Sequence, residues 1–369
     1  MTRPLVTVVL PTFNREALLP RALDSVIAQT YDNWESVVVD DGSTDGTAGV
    51  LDRYAATISE ESIVKSEERG ASAPFAGRIG DRFVVIRQEN RGSSSARNVG
   101  IEAARGRFIA FLDSDDEFSP TKLQRQVELF ERRPELGFVY SDYAYVDLDG
   151  ARHESAFSTI HQTARRISYG AIGPGLRVCS DDLFGHLIRR YFIATIVGMV
   201  RRDVLGRTIR FAQGQSYAEE WLFFLHVVRR CRAGFVDESL SVHHHTKGSL
   251  ARTDAHRNTV RYRNLLAAMS EAFDDLPAES RGIIRSNLAG TYRQLGYDAY
   301  RARKFGEARV NFAKSFRQRA TLQALLGLGD SVLRAVAAGL IGKRADRERD
   351  RADSSMTPTA LETGGRFIG

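Results

Sequence analysis

The sequence FLDSDD at residues 111–116 carries the most information about the fold. Residues 107–112 are predicted to form a buried strand that runs directly into a cluster of acids. Carboxylates at the carboxyl end of such a strand cost free energy unless a cation meets them there. Asp113 and Asp115 can together hold Mg²⁺ or Mn²⁺, and that cation can carry the phosphates of a nucleotide. Because short acidic strings are common in loops, the motif needs support from the rest of the chain.

Strands and helices alternate on the amino-terminal side of this cluster. Strands are predicted at residues 5–10, 34–39, 83–86 and 107–112, and helices at residues 17–29, 47–56 and 93–104. Such alternation predicts a mostly parallel sheet that binds ligands at the carboxyl ends of its strands. Residues 59–80 interrupt the pattern with little apolar content and are expected to form a flexible surface insertion.

The pattern continues beyond the cluster with one gap. A helix is predicted from Pro120 to about Arg132, and a strand from Leu136 to Val146 that ends near a tight turn at Asp149 and Gly150. A helix at residues 218–230 and a strand at residues 233–245 follow, whereas residues 151–215 show no clear periodicity.

Four blocks of the chain resemble the family 2 glycosyltransferases. They read VVLPTFNR at 8–15, VVDDGSTD at 38–45, NRG and ARNVG at 90–100, and FLDSDD at 111–116. The blocks keep the family's order and spacing apart from the insertion at 59–80, and the resemblance covers about residues 5–250. It implies a GT-A fold, which is an α/β, Rossmann-like, mostly parallel mixed sheet flanked by helices.

The resemblance and the charge distribution together suggest a domain organisation. Residues 1–250 are expected to form the GT-A domain, with a nucleotide-sugar-binding half at 1–116 and an acceptor half at 117–250. Residues 251–344 hold 17 Lys and Arg against 8 Asp and Glu, a net charge of +9 in a chain of net charge +6, and are expected to form a basic α-helical extension. Residues 345–369 are expected to be a disordered tail.

The resemblance implies a set of nucleotide-binding residues. Asp41 matches a carboxylate that accepts a hydrogen bond from the nucleotide base, and an acceptor-only side chain suits the N–H of uracil. Pro11 and Phe13 lie in the first block, where the ring of Phe13 could either stack on the base or pack in the core. Arg97 could reach the diphosphate or form a fixed salt bridge to the acidic cluster.

Mn²⁺ or Mg²⁺ is the implied cofactor. Asp115 matches the family's metal ligand, and Asp113 matches the position near the ribose and the cation. Some relatives use a histidine near the last strand as a further ligand, and His245 is the candidate within the run 243–245. The alternative is that these histidines are ordinary polar residues at a strand end.

A single catalytic base is expected, because a metal-bound nucleoside diphosphate leaves as an anion and only the acceptor hydroxyl must lose a proton. The family's base matches Glu220, where an aspartate is usual. The extra methylene moves the carboxylate by about a bond length, and misplacement on that scale can cost ~100-fold in rate. The acceptor pocket could be set back to suit, Glu219 could share the work, or activity could be reduced. Trp221 could stack on an acceptor sugar or pack against helices.

These features imply an inverting, metal-dependent glycosyltransferase that uses a nucleotide-diphosphate sugar, in the first instance a UDP-sugar. The implied acceptor is a saccharide or lipid-linked saccharide in cell-surface polysaccharide or glycolipid synthesis, with no nucleic acid involved. Transfer to a polyprenyl phosphate is an alternative that tolerates Glu220, since phosphate needs no strong base. Further alternatives are a non-catalytic carbohydrate-binding or scaffold protein, and a nucleotidyltransferase, whose Gly-rich basic loop after the first strand is absent.

A cytoplasmic location is expected, with peripheral contact at the inner face of the membrane as an option. The chain has two distant cysteines, no signal-peptide core and no apolar run near the ~20 residues that span a bilayer. Residues 322–341 are amphipathic, and the helix they predict could lie on a membrane surface or be solvated. Its apolar face would consist of Leu322, Leu326, Leu333, Val336 and Leu340.

Overall fold

The computed structural model describes residues 3–61, 76–79, 82–214, 218–246, 255–334 and 336. In these residues the strands are β1 Val6–Thr12, β2 Trp34–Asp40, β3 Ala76–Ile79, β4 Phe83–Arg87, β5 Phe108–Phe111, β6 Glu117–Phe118, β7 Leu136–Val146, β8 Arg152–His153, β9 Tyr169–Gly173, β10 Leu176–Cys179, β11 Met199–Arg201 and β12 Arg232–His244. The helices are α1 Leu19–Ile27, α2 Thr47–Glu61, α3 Ser93–Ala103, α4 Lys122–Arg132, α5 Ala156–Thr159, α6 Leu183–Arg189, α7 Arg202–Leu205, α8 Glu219–Arg230, α9 Ala255–Ala272, α10 Ala278–Arg301 and α11 Phe305–Gln318. Residues 322–334 are also helical, and 3-10 turns lie at Gln162–Arg166 and Thr195–Val197.

The strands form one mixed sheet. Its order is β3-β4-β2-β1-β5-β11-β7-β12-β10-β9, with β6 beside β12 and β8 beside β7. Strands β4, β2, β1 and β5 are parallel, β11 is antiparallel to both β5 and β7, and β12 is parallel to β7. The carboxyl ends of β1, β2, β5, β7 and β12 therefore meet at one edge, which confirms the predicted α/β class and places the acidic cluster beside the end of β12.

Hydrophobic runs explain why the central strands form. Every residue of β1 and β2 is buried, as expected for parallel strands covered on both faces. Helix α3 packs closely on β1 because Gly100 has no side chain: a Cβ there would lie 2.4 Å from Val9 Cγ1. The loop after β2 is equally tight, since Gly42 has φ +80° and its Cβ would lie 2.9 Å from the backbone nitrogen of Asn90. These contacts fix the loops at the carboxyl edge.

The unassigned residues 151–215 and the expected insertion contain several short elements. Strand β11, three residues long, lies inside the sheet between β5 and β7. Strand β3 lies within 59–80, where no strand is expected, and pairs antiparallel with β4. The turn at Gly150 is as predicted: it has φ +84° and joins β7 to its antiparallel partner β8. Hydrogen bonds to neighbouring strands stabilise these short strands, and such bonds leave no pattern in the local sequence.

The chain divides into two compact units, residues 1–284 and 285–369. Helix α9 falls in the first unit rather than in a separate extension beginning at 251, because Leu265, Leu266 and Met269 are buried and the following Phe273 packs edge-on to Phe184.

In the second unit Phe312 is fully buried, and a Cβ on Gly296 or Gly327 would lie under 3 Å from its ring. The tail at 345–369 lies outside the described residues. Among those described, no helix is both long and apolar enough to cross a bilayer.

Candidate functional site

In the acidic cluster, the buried Asp116 forms an ion pair with the half-buried His243. Asp116 is 1% exposed and lies 3.0 Å from His243 Nδ1, while its Oδ1 also accepts from the backbone N–H of His244 at 2.8 Å. Burial alone would lower the pKa of His243, but the charge and hydrogen bond of Asp116 raise it to about 9. Burial raises the pKa of Asp116 to about 6, so both groups are charged at pH 7. Asp116 is thus a structural acid that ties the end of β12 to the cluster.

The two flanking acids keep unpaired oxygens. Asp113 Oδ1 accepts from Arg97 Nη2 at 2.7 Å, and Asp115 Oδ2 accepts from Thr246 Oγ1 at 3.3 Å and lies 4.0 Å from Arg15 Nη2. Both carboxylates are partly exposed, at 28% and 21%. Within the part of the chain that the structure describes, the second oxygen of each accepts no hydrogen bond.

These unpaired oxygens suit a hard divalent cation. Mg²⁺ is usually held by one or two carboxylates, with phosphate and water oxygens completing its shell. In the described residues, however, no three His, Cys, Asp or Glu side chains group closely enough to hold a metal, so the predicted set of Asp113, Asp115 and His245 is not assembled. The His245 ring instead lies 5.2 Å from that of His243 and 5.6 Å from that of Tyr145. The geometry fits two carboxylate ligands, and His245 as a third stays a prediction.

Arg97 connects the acidic cluster to the first turn of α8. This arginine of α3 is 6% exposed, with Nη1 3.1 Å from Glu219 Oε1 and its guanidinium 5.2 Å from the ring centroid of Phe211. Glu219 Oε1 also accepts from Ser93 Oγ at 2.8 Å. Of the two roles open from the sequence, the fixed salt bridge is the one observed. Glu219 is already paired with Arg97 and Ser93, which favours a positioning role for it.

The surroundings of Glu220 differ from those of Glu219. Glu220 lies two residues after Ala218, which precedes α8 and has a φ of +52° in the left-handed region. Its Oε1 accepts from the hydroxyl of Tyr191 at 2.7 Å. Burial, and then the charge of Glu219, raise the pKa of Glu220 to about 7 against the opposing effects of Tyr191 and Arg97. A carboxyl with a pKa near the working pH is suited to accept and release a proton.

An aromatic wall, which the sequence analysis missed, runs from Glu220 to the acidic cluster. The Tyr191 ring lies 6.3 Å from His161, whose Nε2 lies 2.9 Å from the Tyr143 hydroxyl, and the Tyr143 ring lies 6.4 Å from His243. Burial and the charge of Arg190 lower the pKa of His161 to about 4, so it is neutral at pH 7. Tyr191 and His161 lie in the stretch without periodicity, where no sequence signal identifies them.

The expected nucleotide residues lie at the ends of β1 and β2. Phe13 is 41% exposed, so it is not a core residue and can offer its ring to a base. Pro11 is buried in β1 opposite Val39. Asp41 is 3% exposed, and its carboxylate accepts from Gln88 Nε2 and from the backbone N–H groups of residues 91 and 92 at 2.6–2.9 Å. Asp41 therefore shapes the loop before α3.

Trp221 packs inside the protein rather than lining an open surface. It is 5% exposed, and its indole Nε1 donates to the carbonyl oxygen of Leu187 at 2.7 Å. Its ring is stacked on Tyr262, with 6.0 Å between centroids. Of the two roles considered for Trp221, packing against helices is the one observed.

Comparison with known proteins shows what the chain is similar to. Residues 7–185 match the model of glycosyl transferase family 2. It is 35% identical over 148 residues to the putative teichuronic acid biosynthesis glycosyltransferase TuaG of Bacillus subtilis, which covers 40% of this chain and 50% of that protein. It is 31% identical over 143 residues to WfgD of Escherichia coli, a UDP-Glc:α-D-GlcNAc-diphosphoundecaprenol β-1,3-glucosyltransferase, which covers 39% of this chain and 47% of that protein. The chain spans about half the length of these curated relatives.

Solved structures share the fold over most of the chain. Residues 1–349 of S. aureus TarS in complex with UDP-GlcNAc align with 90% of this chain and 81% of that one, at a TM-score of 0.53 and 19% identity. Mannosyltransferase PcManGT from Pyrobaculum calidifontis, in complex with GDP-Man and Mn²⁺, aligns with 92% of this chain and 81% of that one, at a TM-score of 0.50 and 19% identity. The fold is therefore that of the GT-A glycosyltransferases.

Proposed function

We propose that the chain is an inverting glycosyltransferase that moves a sugar from a nucleotide-diphosphate sugar, in the first instance a UDP-sugar, to a hydroxyl of a saccharide or lipid-linked saccharide. The observation that carries this proposal is Glu220, a half-buried carboxylate with a pKa raised to about 7, at the same sheet edge as the acidic cluster. The names of TuaG and WfgD support a role in cell-surface polysaccharide synthesis.

In this mechanism each residue has a separate task. Glu220 accepts the proton of the acceptor hydroxyl as that oxygen attacks C1 of the donor sugar, and Tyr191 holds the carboxylate through its hydroxyl. The exposed ring of Phe13 stacks on the nucleotide base, and Asp41 orders the neighbouring loop and accepts from the base. Arg97 and Glu219 hold Asp113 and the first turn of α8 in register. A divalent cation on Asp113 and Asp115 would neutralise the charge that develops on the leaving diphosphate.

Glu220 favours a hydroxyl acceptor over a polyprenyl phosphate. A phosphate acceptor is already an anion and would gain nothing from a nearby base, whereas a hydroxyl must lose its proton. A non-catalytic role is disfavoured for a related reason. A carboxylate half-buried beside a second acid costs free energy, and a chain without activity would have no use for it.

Replacing Glu220 by glutamine tests the base. We expect Glu220→Gln to bind UDP within about twofold of the original protein and to release UDP from the donor sugar ~100-fold or more slowly, the usual range for a general base. Glu271→Gln, at an exposed position of α9, is the matched control and should keep both properties. Undiminished UDP release by Glu220→Gln would place the base elsewhere.

Replacing Asp115 by alanine tests the metal site. In calorimetric titrations with UDP, the original protein should bind more tightly in Mn²⁺ than in EDTA, because a cation held by Asp113 and Asp115 would neutralise charge on the diphosphate. Asp115→Ala should reduce the increase in UDP affinity that Mn²⁺ causes by ~10-fold or more. This is the usual loss when a residue that supports a metal site is replaced. An identical gain in the variant would remove Asp115 as a ligand.

A further inference from the structure

A polar cavity of about 580 Å³ lies beside the aromatic wall. It is lined by Thr159, Ile160, Gln162, Arg166, Arg189 and Arg190. Two of these residues flank His161 in the chain, and Arg190 immediately precedes Tyr191, which donates to Glu220. Because consecutive Cα atoms lie ~3.8 Å apart, the cavity adjoins the residues that hold the candidate base.

The cavity is strongly positive. Arg189 forms an ion pair with the exposed Glu279, whereas Arg166 and Arg190 form no ion pair with any residue that the structure describes. Three arginines less one glutamate leave a net charge of +2. The charge of Arg190 also interacts with His161, because it contributes to lowering the pKa of that imidazole. Positive charges around one cavity repel each other unless a bound anion neutralises them.

We propose that this cavity binds the phosphate groups of the acceptor, and this proposal rests on the proposed function of the neighbouring Glu220. Guanidinium groups bind phosphate oxygens in pairs, through two parallel hydrogen bonds. A diphosphate diester, or two successive phosphodiesters, carries two negative charges and matches the net charge of +2. A single carboxylate would neutralise only half of it. Two kinds of acceptor present such groups near a sugar hydroxyl: a saccharide on an isoprenoid diphosphate, and a polymer with a phosphodiester backbone.

A second basic cavity, at the opposite edge of the sheet, supplies the control. It has a volume of about 380 Å³ and is lined by Leu5, Arg105, Arg107, Arg201, Arg202 and Asp203. Leu5 and Arg107 lie just before β1 and β5, so this cavity is at the amino ends of the strands, away from Glu220. Arg107 is exposed, and Arg107→Gln removes one positive charge from a basic surface that the proposal does not involve.

The test is calorimetric titration with farnesyl diphosphate and with a glycerol phosphate oligomer, in the presence of saturating UDP and Mn²⁺ so that the donor site is filled. We expect at least one probe to bind the original protein and Arg107→Gln equally. The double variant Arg166→Gln, Arg190→Gln should bind that probe ~10-fold or more weakly, since each lost charged hydrogen bond costs about that much. Its UDP affinity should stay within twofold. The preferred probe identifies which acceptor supplies the phosphate.

Three results would overturn the proposal: binding of neither probe, equal binding by the double variant, or tighter binding of an oligogalacturonate, which carries carboxylates. Failure of the proposed function would give a different pattern of binding results. Loss of UDP binding in every protein, with farnesyl diphosphate binding intact and dependent on Arg166 and Arg190 in EDTA, would refute a nucleotide-sugar transferase and keep the anion site.

Discussion

At the scale of single residues, the proposed base Glu220 has a longer side chain than the aspartate that the resemblance implies at this position. Its carboxylate reaches the hydroxyl of Tyr191 at 2.7 Å, so the additional methylene is fixed by a hydrogen bond rather than left mobile. That bond stabilises the ionised form, while burial and Glu219 oppose it. The balance leaves the carboxyl about half ionised near pH 7.

Removing the Tyr191 hydroxyl should move this balance. Tyr191→Phe deletes a hydrogen bond to the ionised form, so the pKa of Glu220 should rise further and the base should be active only at higher pH. A bond to a charged group contributes about 1.5–3 kcal/mol, so the rate of UDP release well below pH 7 should fall by roughly 10-fold or more, with recovery at alkaline pH. The measurement is the pH profile of kcat/KM.

Tyr143→Phe is the matched control, because its hydroxyl bonds to His161 and not to Glu220. Its profile should keep the original midpoint. A Tyr191→Phe profile that is lowered equally at every pH would mean that Tyr191 only supports the fold.

The sequence indicated which residues to consider for the site, but it did not indicate which other residues their side chains contact. It singled out Asp113 and Asp115 as acids at the end of a predicted strand, and Glu220 through the resemblance to the family. It left two roles open for Arg97, since that choice depends on Glu219, 122 positions away along the chain. Tyr191 went unnoticed because an isolated tyrosine in a stretch without periodicity carries no signal of what it contacts.

At the scale of elements, the central strands were predictable and the short ones were not. Strand β7 has the predicted bounds, and β1, β2 and β5 differ from prediction by a few residues at most, since continuous apolar runs identify buried parallel strands. Strand β11 occupies a central place with three residues, which is too short for a periodic pattern. Its neighbours supply the hydrogen bonds that define it.

The packing of α3 on β1 gives a prediction at this scale. Gly100→Ala would place a Cβ 2.4 Å from Val9 Cγ1, and neither the helix nor the buried strand can move away without loosening the loops at the carboxyl edge. We expect the free energy of unfolding to fall by about 1–3 kcal/mol, as for overpacked cores, despite the higher helix propensity of alanine. Urea unfolding followed by circular dichroism measures this.

Gly185→Ala in α6 is the control, because nothing lies within 4 Å of the added Cβ. Helix propensity alone then acts, and stability should rise by up to about 1 kcal/mol. If both variants change the free energy of unfolding equally, the close approach of α3 to β1 does not contribute to stability.

At the scale of the whole molecule, the basic carboxyl-terminal unit offers an apolar surface. In helix 322–334, Ala324 and Ser331 are buried, whereas Leu322, Leu326 and Leu333 are 62–70% exposed. The exposed residues belong to the face that the sequence analysis identified. Together with the positive charge of this region, they suit a helix lying on an anionic membrane.

Charged substitutions on that face should weaken membrane association. We expect the double variant Leu326→Glu, Leu333→Glu to lose ~10-fold or more of its cosedimentation with phosphatidylglycerol vesicles, because each leucine contributes about 1.5–3 kcal/mol when buried. The control replaces two exposed residues of α11 in the same unit, Val310→Glu and Phe316→Glu, with the same change of charge. Equal losses in both proteins would show that net charge, and not the helix face, governs any association.

The ion pair between Asp116 and His243 also has a consequence for the order in which the protein is made. The two residues are 127 positions apart, and β12 is the last strand of the sheet to leave the ribosome. At elongation rates of ~5–20 residues per second, roughly 6–25 s pass between their synthesis. During that interval residues 1–116 carry the acids of FLDSDD without the imidazolium that balances Asp116, so the acidic cluster gains this ion pair only after β12 has been made.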